Sequence, residues 1–165
     1  MKCFTCGSEM SIHKNSLFHY TNSGLSKVFL RGIKTIKCRN KSCAEEEVII
    51  PNIEELHQLL AEKIARQSNT LLPEEMRFLR THLGFSGVDF AKAIGVSPET
   101  VSRWEKGTVK MKEASEKLLR VLILSKFAPF RNYDELVEFA SKSTKTPLKR
   151  FFKIDHSHWQ ESGAA

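Results

Sequence analysis

Apolar positions along this chain change their period at Pro51. Before it, the run Lys27-Val-Phe-Leu-Arg-Gly-Ile-Lys-Thr-Ile-Lys37 alternates and is rich in β-branched residues, which predicts one strand or two strands broken at Gly32. Val48-Ile-Ile50 predicts another short strand, and Asn22-Ser-Gly24 is turn chemistry. After Pro51 the spacing becomes helical. Ile53, Leu56, Leu59, Leu60 and Ile64 share one face of a helix that runs to about Gln67, with Asn52 read as its N-cap and Glu54 and Glu55 in its first turn. Ser68-Asn-Thr70 reads as a linker. A helix then opens at Pro73-Glu-Glu75 and ends near Leu83-Gly84, followed by helices over about Ser86–Ile94, Ser97–Lys106 and Lys112–Lys126. Leu118, Leu119, Leu122 and Ile123 form the expected buried side of the last of these. Tyr133–Ser141 predicts a short amphipathic helix, and the chain beyond it lacks periodicity and reads as a disordered tail.

The fold class implied is α+β: a small β-rich N-terminal domain, an all-α domain and a helical C-terminal extension. The expected boundaries are 1–68, 69–126 and 127–165.

Four cysteines give the β-rich part its chemistry. They stand as Cys3-x2-Cys6 and, 31 residues later, Cys38-x4-Cys43. Two thiol pairs on short turns can converge on one tetrahedral ion, so structural Zn²⁺ is the expected cofactor, with all four positions closed to water. Iron–sulfur ligation and a pair of disulfides are the alternatives. His13 and His19 lie between the pairs and read as loop residues. The start Met-Lys-Cys has no apolar leader behind it, and no run approaches the length of a membrane span, so the expectation is a soluble, cytoplasmic protein.

Charge adds a partner class. Lys and Arg number 26 against 19 Asp and Glu, a net charge of +7. Basic proteins often meet phosphate. The span Phe85–Gly107 reads helix, tight turn at Gly95, helix. Ala91 permits close approach, Gly95 allows the turn, and Val101 and Trp104 face inward one turn apart. Pro98, Glu99, Ser102, Arg103 and Lys106 remain on the outward side of the second helix, where a helix N-terminus and cations suit phosphate.

The segment Leu83-Gly-Phe-Ser-Gly-Val-Asp-Phe-Ala-Lys-Ala-Ile-Gly-Val-Ser-Pro-Glu-Thr-Val-Ser-Arg-Trp-Glu-Lys-Gly107 resembles the Xre/Cro/cI-type helix-turn-helix family. Joined to the four-cysteine module, residues 1–126 resemble the YgiT/MqsA family of zinc-finger antitoxins. The resemblance implies a repressor that binds a palindromic operator in double-stranded DNA as a homodimer, with a cognate toxin held through the zinc domain. It further implies that Glu99, Ser102 and Arg103, with Ser97, Pro98, Thr100 and Lys106 around them, meet base edges or phosphates. By the same resemblance Ser86 and Gly87 sit where the family contacts phosphate, and Thr108, Lys110 and Lys112 meet the backbone beyond the recognition helix. Arg80 and Glu105 match a structural ion pair.

This chain departs from the pattern at Gly87, where the family often carries Gln, at the acidic Glu99, and in the four-residue Cys38–Cys43 loop. Residues 127–165 have no counterpart in it. The apolar stripe of Leu118–Leu124, with Phe127 and Phe130, reads as core and as a dimer seam. The basic residues of Lys27–Lys41 read equally as a solvated strand face or an extra nucleic-acid surface. His156 and His158 read as tail residues more than as a metal site. No catalytic constellation appears, so the expectation is not an enzyme. The competing readings are a protein-interaction adaptor on a helix-turn-helix scaffold that has lost DNA binding, and a stand-alone mobile-element regulator.

Overall fold

The computed structural model describes residues 1–14, 17–141, 150–155 and 158–163. They form two compact units: Met1–Thr21, Lys27–Glu55 and Lys149–Ala165 make the first, Asn22–Ser26 and Leu56–Leu148 the second.

The first unit holds two sheets. Strands β1 (Met10–Lys14), β4 (Lys34–Cys38) and β5 (Glu46–Ile49) form an antiparallel sheet in the order β1-β4-β5. Strands β2 (Phe18–His19), β3 (Val28–Arg31), β6 (Arg150–Asp155) and β7 (His158–Ser162) form a second in the order β2-β3-β6-β7, with β3 and β6 parallel. The break between β3 and β4 falls at Gly32, whose φ of +77° is open to glycine at little cost.

The expected disordered tail is a correction. Arg150–Asp155 and His158–Ser162 are strands, because Phe152 (0% exposed) and Trp159 (6%) bury on the face that also buries Val28 and Leu30. Trp159 Nε1 donates to the Pro51 carbonyl at 2.9 Å, and His158 Nδ1 meets Glu55 Oε1 at 2.9 Å. His158 is therefore a strand residue paired with a carboxylate. His156 lies outside the described residues, as do residues 142–149 of the expected tail.

The second unit is helical: α1 (Ile53–Arg66, from Leu56 on), α2 (Pro73–His82), α3 (Gly87–Ile94), α4 (Pro98–Glu105), α5 (Glu113–Phe127) and α6 (Tyr133–Ser141). Its core is Leu56, Leu60, Ile64, Met76, Leu79, Phe90, Ala91, Val101, Trp104, Leu119, Ile123 and Leu124, each at most 4% exposed. Two details differ from expectation. Asn52 is not an extended N-cap but left-handed, φ +48°, and its amide donates to Glu55 Oε2 at 3.5 Å. Asn tolerates that conformation because its short polar side chain bonds locally. Leu118 and Ile53 are exposed, 42% and 43%. On α5 the buried stripe runs instead through Glu116, Leu119, Arg120, Ile123 and Leu124.

The segment read as a linker is pinned. Arg120, 3% exposed, donates to the carbonyls of Ile64, Ala65, Gln67 and Asn69 and pairs with Glu116 Oε1 at 2.7 Å. Glu116 in turn accepts the Leu71 N–H at 3.1 Å. The guanidinium thus satisfies carbonyls at and beyond the end of α1 that have no helical partner.

Candidate nucleic-acid interface and candidate metal centre

Two turns bring the cysteines together. In the first, the Gly7 N–H donates to the Cys3 carbonyl at 2.9 Å with Gly7 at φ +71°. In the second, Cys43 N–H donates to the Asn40 carbonyl at 3.0 Å and Ser42 N–H to Asn40 Oδ1 at 3.0 Å, an Asx-type turn that absorbs the longer loop. Antiparallel pairing of Met10 with Cys38 brings the two turns to one end of the β1-β4-β5 sheet.

The four Sγ atoms all lie within 4.8 Å of one another, Cys3 to Cys43 at 3.7 Å and Cys6 to Cys38 at 3.5 Å. Those separations are far beyond the ~2.05 Å of a disulfide, and all four cysteines are free. A tetrahedral ion with sulfur bonds near 2.3 Å would hold its ligands about 3.8 Å apart. The set fits such an ion. An iron–sulfur cluster interposes its own irons and sulfides between the thiolates, and this set leaves less room for them.

Hydrogen bonds from the Ser8 side chain and backbone hold the Cys6 thiol down to about 6. Desolvation by the surrounding protein pushes Cys43 up to about 12 and raises Cys38. Four thiolates this close repel one another unless a cation sits among them. His13 bonds to Ser11 Oγ at 2.9 Å and His19 stacks on Phe29, so neither joins the four sulfurs.

In the helical unit, Ser86 caps α3 by accepting the Asp89 N–H at 3.1 Å and donating to Asp89 Oδ2 at 2.6 Å. Gly87 follows at the first helical position, with open space where a Cβ would stand. Gly95 closes α3 at φ +70°, and the Val96 N–H reaches back to the Ala91 carbonyl at 2.9 Å. Ser97 then caps α4, its Oγ accepting the Thr100 N–H at 3.3 Å and lying 3.1 Å from Thr100 Oγ1.

Val101 (1% exposed) and Trp104 (4%) anchor α4 in the core. Its outer side is an open depression of about 410 Å³ lined by Pro98, Glu99, Ser102, Arg103 and Lys106. Arg103 and Lys106 are exposed and make no ion pair among the described residues. Glu99 stays anionic: its own backbone N–H, the Ser97 hydroxyl and Arg103 hold its carboxyl below the ordinary value. Thr108 Oγ1 donates to the Arg103 carbonyl at 3.2 Å, and Lys110 and Lys112 are exposed beyond it.

Arg80 Nε lies 2.6 Å from Glu105 Oε1, both side chains about nine-tenths buried, and Arg80 Nη1 donates to the Phe85 carbonyl at 2.5 Å. One guanidinium so fastens α2, α4 and the turn into α3. Arg77 adds a second cation to Glu105 at 3.2 Å. Sequence reasoning missed Arg77, although its three-residue offset from Arg80 places it on the same helix face.

Among the described residues no helix is long and apolar enough to cross a membrane. No match was found among curated proteins or among solved structures. Residues 76–126 match the family model described as helix-turn-helix, a span that opens in α2 and closes near the end of α5. With its capped α3, left-handed turn and anchored α4, this part of the chain is a helix-turn-helix domain of the Xre type, a DNA-binding fold of transcription regulators.

Proposed function

We propose that the protein is a sequence-specific transcriptional repressor of the antitoxin class that binds a palindromic operator as a dimer. The observation that carries the reading is the outer side of α4: Pro98, Glu99, Ser102, Arg103 and Lys106 line one depression on a helix whose opposite side is locked into the core. A recognition helix needs that division, since the buried side fixes its pose and the free side reaches base edges. Arg103 is assigned to a guanine or a phosphate, and Glu99, anionic, to a cytosine amine. Ser86 and Gly87 at the start of α3, Ser97 and Thr100 at the start of α4, and Thr108 and Lys110 beyond it take the phosphates on either side.

Leu118, exposed on α5, contributes to the dimer seam. Phe127 and Phe130, by contrast, already pack on His82 and Phe139. A two-fold dimer places its two recognition helices about 34–36 Å apart, one turn of duplex. Cys3, Cys6, Cys38 and Cys43 hold a structural Zn²⁺ with no open position, and the zinc-bearing unit is assigned to a protein partner, a toxin.

Selection of bound sequences from a random duplex library by the full-length protein tests this reading. It predicts enrichment of an inverted repeat, and loss of binding to the enriched duplex in R103A with zinc content unchanged. A library that returns no enriched sequence contradicts it and favours the adaptor reading. Selective binding retained by R103A removes Arg103 from the reading surface.

A further inference from the structure

Alternate residues of the β2-β3-β6-β7 sheet face opposite sides. Val28, Leu30, Phe152 and Trp159 bury one side at 0–6% exposure. The other side carries His19 on β2, Phe29 and Arg31 on β3, Phe151 and Lys153 on β6, and Gln160 on β7. Register sorts them into two rows across the strands: His19, Phe29 and Phe151 in one, Arg31, Lys153 and Gln160 in the next.

The first row is a ladder of nearly parallel rings. His19 and Phe29 have centroids 4.7 Å apart at 16°, and Phe29 and Phe151 5.4 Å apart at 24°. From the second row, the Arg31 guanidinium lies 5.3 Å from the Phe151 centroid. His19 and Lys153 are exposed, and Phe29, Phe151 and Arg31 are half-buried. Lys153 makes no ion pair among the described residues. Among the described strand residues this face carries one acid, Asp155 at its far end, which accepts from Gln160 Nε2 at 3.2 Å, and His158 opposite it meets Glu55.

Cross-strand aromatic pairs stabilise sheets, but the core of this sheet lies on its other side. Here the stacked rings, His19 exposed and Phe29 and Phe151 half-buried, lie next to two cations.

We infer that this face binds single-stranded nucleic acid, with unpaired bases stacked on His19, Phe29 and Phe151 and phosphates met by Arg31 and Lys153. Base faces and backbone charge are the two features every single strand offers, and rings beside cations on an open sheet match both. A duplex keeps its base faces stacked internally and cannot use the ladder. This face belongs to the first unit and α4 to the second, so the inference does not rest on the operator reading.

The test is fluorescence anisotropy of labelled oligo-U and oligo-dT, about 12 nucleotides long, with the full-length zinc-loaded protein carrying R103A to silence the helix-turn-helix. Both strands should bind, unlabelled duplex should compete poorly, and F29L/F151L should weaken binding about tenfold or more. R31A/K153A should flatten the salt dependence, and it reads the same site through its charged residues should the leucine variant fail to fold. Absence of strand binding overturns the inference, as does equal binding by folded F29L/F151L. Binding of an acidic aromatic peptide in place of either strand would make the occupant a protein and likewise overturn it.

Discussion

Gly87 is a single residue where the chain departs from the pattern it resembles although the local geometry does not ask for glycine. It stands at the first position of α3, beside the Ser86 cap, with nothing within 4 Å of where a Cβ would be and no positive φ to excuse a glycine. The backbone there accepts any side chain. G87Q should therefore fold unchanged and add one polar contact to DNA, worth ~1 kcal/mol, or about fivefold in affinity. Titration of both proteins on the same duplex checks this, and unchanged affinity would mean that the start of α3 stands clear of the DNA backbone. Glu99 works at the same scale. Because it stays charged beside Arg103, its proposed contribution is selectivity among bases and not attraction to phosphate.

Between elements, the contact of α1, α2 and α5 turns on two histidines. His57 meets the Phe78 ring edge-on at 5.7 Å, and His82 stacks on Phe78 and tilts against Phe127 at 4.5 Å. Burial lowers the pKa of both, with His57 and Lys126 adding repulsion at His82, whose Nε2 is buried without a hydrogen-bond partner. Unfolded histidine titrates near 6.5, so on acidification below that value the unfolded chain takes up protons that the folded one refuses. Stability from these groups is complete above about 6.5 and declines as pH falls. Thermal melts at pH 7.5 and 5.5 should show this loss, and H82F should show a smaller one. Equal losses in the two proteins would remove His82 as a cause.

The elements were unequally legible in the sequence. Helices α2 to α6 announced themselves through caps, first-turn prolines and 3.6-residue spacing, all local signals. Strands β6 and β7 did not, because β6 pairs with β3 more than a hundred residues away and its alternation of Phe152 inward and Phe151 outward is too short to read alone. Glu116 and Arg120 look like an ordinary surface pair four residues apart. Only the packing of α5 against the end of α1 makes them a buried clamp. At the site, the four cysteines and the outer residues of α4 were visible from spacing. Arg77 on Glu105 and the ring ladder on the second sheet needed the third dimension.

At the scale of the whole molecule, a β unit whose four cysteines can hold a metal ion and a helical unit with a helix-turn-helix share one chain. Small zinc modules draw on the order of 10 kcal/mol of folding free energy from their ion. The purified protein should carry one zinc per chain by elemental analysis, and C6S/C43S should carry none. A chelator should abolish amide protection in β1, β4 and β5 while leaving helical circular dichroism near its starting value. Iron in place of zinc, or full amide protection in the stripped protein, would contradict the assignment. The central claim, that α4 reads sequence, is tested most directly by titrating the full-length protein onto duplex from its own upstream region and onto a scrambled duplex, each at two salt concentrations. The account predicts tight binding to the first alone, weakening steeply as salt releases the phosphate contacts. Equal, weak binding to both duplexes would contradict it and leave the helix-turn-helix as a scaffold.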